Sequence, residues 1–120
     1  PICVQVTAIE ADAAAARFAA SHLPPESRVL AGRVEDLLAQ CLPADVVILN
    51  PPRAGVDARV TEALTVQRPR LVLYMSCDPA TLARDVSRLA AYRVTSLRAY
   101  DMFPQTAHVE VVCELTPEET

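Results

Sequence analysis

Short apolar runs rich in β-branched residues recur along this chain, and helix-like stretches separate them. Val4–Ile9 is the first such run and ends in Glu10-Ala11-Asp12. An alanine-rich stretch from Asp12 to His22 follows, with Asp12 placed to cap a helix and Pro24-Pro25 to stop it. Arg28–Ala31 reads as a short strand, and Val34–Cys41 as a second helix with Leu37, Leu38 and Cys41 on one face. After Pro43, Asp45–Leu49 is too short and too β-branched for a helix and reads as a buried strand. Asp57–Val66 and Thr81–Ala91 are helix-like, with the apolar run Leu71–Met75 between them. Tyr92–Tyr100 and Val109–Leu115 close the chain as two strands, and Thr116–Thr120 reads as a loose tail. Regular strand–helix alternation needs crossover connections, hence an α/β fold with a mostly parallel sheet and helices on both faces. The last two strands have no helix between them, so one is expected to run antiparallel.

Composition narrows the class further. A chain of 120 residues with 52% hydrophobic content suits one domain and excludes a polar disordered segment. No apolar run approaches the roughly 18 residues of a membrane span, and no charged-then-apolar leader is present. The chain opens on Pro1 rather than Met, which points to an excised or processed piece. A net charge of −4 gives no electrostatic footprint for nucleic acid. The four cysteines contain no Cys-x-x-Cys pair, so no metal site is expected; Cys3, Cys41 and Cys113 read as small buried apolar side chains.

Ligands of an open α/β sheet bind beyond the carboxyl ends of its strands, and those ends carry the polar residues here. Glu10 closes a strand just before a helix. A carboxylate there either accepts the two hydroxyls of a ribose or sits solvated beside a helix N-terminus. Asn50-Pro51-Pro52-Arg53 leaves a strand through two prolines that stiffen the exit, with Arg53 supplying a planar fork suited to phosphate or carboxylate; a plain rigid turn is the alternative. Cys77 ends a strand ahead of a helix opened by Asp78-Pro79, a position near the helix's N-terminal amides that favours the nucleophilic thiolate; a core cysteine is the alternative, which the polar Ser76 and Asp78 beside it do not suit. Glu110 enters the apolar run Val111-Val112-Cys113, where a carboxylate is costly unless paired or used as a base. His108, two positions earlier, shares its strand face and reads as a structural hydrogen-bonding residue.

Three segments, Asn50-Pro-Pro-Arg-Ala-Gly55, Ser76-Cys-Asp-Pro-Ala-Thr-Leu-Ala-Arg-Asp85 and Asp101-Met-Phe-Pro-Gln-Thr-Ala-His-Val-Glu110, resemble the S-adenosylmethionine-dependent RNA uracil-5-methyltransferases. Val6–Glu10 resembles that family's second strand. The resemblance implies a Rossmann-like class I methyltransferase sheet and formation of 5-methyluridine in tRNA or ribosomal RNA. It implies Cys77 as the nucleophile at uracil C6 and Glu110 as the base that removes the C5 proton. Glu10 and Asn50 would bind S-adenosyl-L-methionine, with RNA as the partner and the cytoplasm as the site of action. No metal is implied in this segment.

The chain departs from the family in two places. Asn50 stands where the family usually has Asp, so an acceptor oxygen is kept and the charge is lost. The family's first strand with its glycine-rich turn is missing: Gly32 and Gly55 are the chain's glycines, and neither follows a first strand. The chain is thus expected to be part of a catalytic domain, inactive alone, whose sheet lacks the strand between Val4–Ile9 and Asp45–Leu49. Two other readings stay open. An amino-methyltransferase also uses Asn-Pro-Pro, though with an aromatic where Arg53 stands; a non-catalytic module could retain the fold.

Overall fold

The computed structural model describes residues 5–101 and 109–119. Six strands and four helices follow in the order β1 (Thr7–Glu10), α1 (Ala13–His22), β2 (Arg28–Ala31), α2 (Val34–Cys41), β3 (Val46–Leu49), α3 (Ala58–Gln67), β4 (Leu71–Ser76), α4 (Pro79–Ser87), β5 (Tyr92–Tyr100) and β6 (Glu110–Pro117). The α/β alternation expected from the sequence is present. Local chemistry sets the boundaries. The Asp12 carboxylate accepts the amides of Ala14 and Ala15 and starts α1, while the Asp57 carboxylate accepts the Arg59 amide and starts α3. Arg68 ends α3 in the left-handed region at φ 52°, the usual way to close a helix, though here without glycine.

The chain divides into two compact units, Pro1–Leu42 and Pro43–Thr120. In the first, β1 and β2 pair in parallel from Thr7 opposite Arg28 to Glu10 opposite Ala31. In the second, a four-stranded sheet has the order β3-β4-β6-β5. β3 and β4 are parallel, and β6 runs antiparallel to both of its neighbours. The last strand is therefore inserted between β4 and β5. Among the described residues β1 pairs with β2 alone and β3 with β4 alone, so no ladder joins the two sheets. A division into two units follows directly from that interruption.

The second unit has one covered face. Val72, Tyr74, Cys113 and Leu115 alternate inward along β4 and β6 and are almost wholly buried, beneath Val60 and Leu64 of α3 and Leu82 of α4. Tyr92 at the start of β5 donates its hydroxyl to the Pro69 carbonyl, 2.8 Å away, which ties the far edge of the sheet to the end of α3. On the other face of this unit Val46 and Ile48 of β3 are exposed.

Several boundaries also differ from expectation, among them the start of β1, which lies at Thr7. The apolar pattern placed the fourth helix at Thr81–Ala91, whereas α4 starts at Pro79, which needs no amide partner at that position, and ends at Ser87. Amides of Arg88 and Leu89 then turn back to Asp85 and Val86, so Leu89 is buried though it lies outside the helix. The tail is less loose than expected, since β6 continues through Thr116 and Pro117, paired with Arg93 and Tyr92. The Glu118 amide bonds the Ala91 carbonyl at 2.8 Å, and its carbonyl accepts Arg68 Nη2 at 2.6 Å.

Candidate active site

In the second unit the parallel strands β3 and β4 end side by side, and antiparallel β6 begins at that same edge. Leu49 pairs with Tyr74, and Ser76 with Val111. One step beyond those pairs come Asn50 after β3, Cys77 after β4 and Glu110 at the start of β6. The register thus carries Cys77 and Glu110 to the same level on neighbouring strands. Glu110 also pairs with Tyr100 at the end of β5. Cys77 and Glu110 are half-buried and Asn50 is exposed, which leaves all three open to a ligand.

Cys77 is held from both sides. Ser76 is buried, and its Oγ donates to the Asp78 carbonyl at 2.9 Å and accepts the Asp78 amide at 3.0 Å. This fixes the backbone on either side of the thiol. The Asp78 carboxylate then takes the Ala80 and Thr81 amides at 3.0 and 3.2 Å, so these first amides of α4 are occupied by the cap. Arg53 Nε lies 3.7 Å from the other Asp78 oxygen, an exposed pair that orients the loop more than it stabilises it.

The Asn50–Gly55 loop closes on itself through the Gly55 amide and the Pro52 carbonyl, 2.8 Å apart. At φ 80° Gly55 occupies the left-handed region, which a side chain disfavours. The α-hydrogen that a side chain would replace also faces α4: a methyl there would overlap Asp85 Oδ2 and Thr81 Cγ2. Beneath the loop lies Asp85, fully buried in α4. Oδ2 accepts the Val56 amide at 3.0 Å and the Tyr74 hydroxyl, and Oδ1 accepts Arg84 Nε and Nη2 at 3.1 and 3.0 Å. Burial, and next the hydrogen bond to Asp85, push the Tyr74 phenol far above its ordinary value, so it stays a donor.

Sequence reasoning singled out the strand ends and passed over Asp85, Tyr74 and the close approach at Gly55. A signal for Asp85 was available. It lies three residues after Leu82 and four before Leu89, on the apolar stripe of its helix, where an acid is out of place.

In the first unit, Glu10 is half-buried at the carboxyl end of β1, where ligands of such sheets bind. Its Oε1 accepts the Asp12 amide at 3.1 Å, which fixes the carboxylate, and among the described residues Oε2 has no partner. His108 and the rest of the 102–108 segment, like Cys3, lie outside the described residues. Cys113 is buried as expected, and burial raises its thiol above the ordinary value, whereas Cys41 is half-buried. Among the described residues no three His, Cys, Asp or Glu side chains gather as a metal site, and no helix is long and apolar enough to cross a membrane.

The chain is similar to several RNA methyltransferases. An RNA methyltransferase of Protochlamydia amoebophila, itself uncharacterized, is 44% identical over 92% of this chain and 28% of its own length. A 23S rRNA (uracil(747)-C(5))-methyltransferase of Shewanella amazonensis is 42% identical over 62% of this chain and 19% of its own length. The solved tRNA (uracil-54, C5)-methyltransferase of Pyrococcus abyssi, in complex with S-adenosyl-L-homocysteine, superimposes with a TM-score of 0.84 at 32% identity. That match covers 93% of this chain and 29% of the other. The chain spans less than a third of the length of these relatives. The family model for tRNA (Uracil-5-)-methyltransferase matches residues 20–117, which take in β2 and the whole four-stranded sheet but not β1, and the chain therefore belongs to the tRNA (uracil-5-)-methyltransferase family.

Proposed function

We propose that residues 1–120 are part of the catalytic domain of a longer cytoplasmic enzyme that methylates C5 of a uridine in tRNA or ribosomal RNA. The observation that carries this reading is the register that sets Cys77 and Glu110 at one level on adjacent strands. Uracil C5 is a weak nucleophile. Addition of the Cys77 thiolate to C6 moves electron density onto C5, and S-adenosyl-L-methionine, when bound, supplies an electrophilic methyl group for it. Glu110 then takes the C5 proton, the electron pair of that C–H bond re-forms the C5–C6 double bond, and the C6–sulfur bond breaks to return the thiolate. A half-exposed carboxylate suits that task, since it must meet a base lifted out of its stack. Glu10 fits the donor's ribose: one oxygen is anchored on the Asp12 amide and the other is open to a hydroxyl. Asn50, at the end of β3, would contact the donor through an amide in place of the charge usual at that position. The 120 residues alone are expected to lack turnover.

The test is denaturing gel electrophoresis of the full-length enzyme with labelled RNA. Fluorine at C5 cannot leave as a proton, so 5-fluorouridine RNA should trap a covalent adduct in the wild type and none in Cys77→Ala. With ordinary RNA, Glu110→Gln should accumulate a methylated adduct. Methylation without any adduct would favour amino-methyltransferase chemistry, and near wild-type turnover by Cys77→Ala would overturn the reading.

A further inference from the structure

We propose that Asp85 is a positioning residue of this site, holding the Asn50–Gly55 loop in fixed relation to the strand end that carries Cys77. The inference rests on the function proposed above. Three separate parts of the unit meet on this one carboxylate: the loop through the Val56 amide, β4 through the Tyr74 hydroxyl, and α4 through Asp85 itself and Arg84. Arg84 extends the connection, donating Nη2 to the Ala54 carbonyl at 2.7 Å while it pairs with Asp85 Oδ1. Both ends of the Ala54–Val56 segment are thus tied to α4 across about thirty residues of sequence.

An apolar side chain at this depth would stabilise the unit as well or better, because removing a carboxylate from water is costly even when it is paired. What the charge adds is direction. It fixes one amide, one hydroxyl and one guanidinium at once, which a leucine could not do. Gly55 gives the corresponding sign from the loop side, since any methyl there would displace the carboxylate. The loop held in this way begins with Asn50 and carries Arg53, which reaches Asp78 next to Cys77. Asp85 therefore touches no substrate and acts through the loop.

The experiment uses the full-length enzyme with Asp85→Asn and, separately, Arg84→Met. Arg84 is partly exposed, so its replacement spares the core. The readouts are kcat, KM for RNA, adduct formation with 5-fluorouridine RNA, thermal melting and the rate of Cys77 alkylation by iodoacetamide. Both variants should lower kcat at least tenfold and slow adduct formation, with KM for RNA changed less than threefold and alkylation of Cys77 unchanged. A residue that only stabilises the fold would move melting and leave that split absent. A folded Asp85→Asn enzyme within twofold of wild-type kcat overturns the proposal. If Asp85→Asn does not fold, Arg84→Met within twofold of wild type overturns it equally. Wild-type enzyme that forms no adduct would instead refute the function itself, so the two failures are distinguishable.

Discussion

Replacing Gly55 with alanine should destabilise the four-stranded unit by about 2–3 kcal/mol, which is the balance of three effects. The left-handed backbone at φ 80° costs an L side chain about 1–2 kcal/mol. Alanine recovers roughly 0.4–1 kcal/mol by stiffening the unfolded chain. The larger part is steric: the new methyl would overlap Asp85 Oδ2 and Thr81 Cγ2 and lie 2.7 Å from Arg84 Nη2. Insertions into a packed, hydrogen-bonded cluster of this kind cost about 1–3 kcal/mol. Urea unfolding followed by tyrosine fluorescence is a selective assay. The chain has no tryptophan, and its three tyrosines, Tyr74, Tyr92 and Tyr100, all belong to this unit. With a slope of about 1 kcal/mol per molar urea for a unit of this size, the midpoint should fall by about 2–3 M. Gly55→Asn separates the causes, because asparagine tolerates positive φ but still carries a Cβ. A recovery in Gly55→Asn, or a loss below about 0.5 kcal/mol in Gly55→Ala, would refute the steric reasoning.

Two further outcomes follow from single groups. Asp78→Ala should cost about 1 kcal/mol in the same urea assay by leaving the Ala80 and Thr81 amides uncapped, and Asp78→Ser should restore most of it; equal losses would shift the cause to the Arg53 pair. Stability should also fall at alkaline pH. The Cys113, Tyr74 and Tyr92 values are all raised by burial, so the unfolded chain ionises first while the folded unit keeps its protons. Their contribution is full below the unfolded values near 9 and 10 and is lost above them, by about 1.4 kcal/mol per pH unit for each group. Urea midpoints at pH 8, 9.5 and 11 should decline progressively, with Cys113→Val removing the earliest part; a flat series would contradict this.

Much of the fold was legible because its signals are local. Pro24-Pro25 and Pro43 bracket α2 and β2, and Asp12 and Asp57 announce the helices that follow them. The strand ends, and with them Glu10, Asn50, Cys77 and Glu110, came from the same alternation together with the family resemblance. What escaped was non-local. The apolar stripe ran past Ser87 because Leu89 is buried from a turn rather than from the helix, and periodicity does not distinguish the two. Thr116 and Pro117 looked loose because the partners that hold them, Arg93 and Tyr92, lie more than twenty residues away. Asp85 stood in plain view as an acid on an apolar stripe, but its meaning depends on Val56, Tyr74 and Arg84, which no spacing rule brings together.

The insertion of β6 between β4 and β5 has a consequence for how the protein is made. Synthesis proceeds from the amino end, so the strand that joins the sheet's two halves is the last of these six to arrive. Until Glu110–Pro117 has emerged, β4 lacks its partner on that side and nine-residue β5 has no neighbour among the described strands. Both present unpaired backbone edges during that interval, the type of surface on which nascent chains pair wrongly. Closing this sheet then happens as one late event, with β6 bonding on both sides at once, and a ribosome that stalls shortly before Glu110 would leave the β3–β4 ladder formed but its β6 side open.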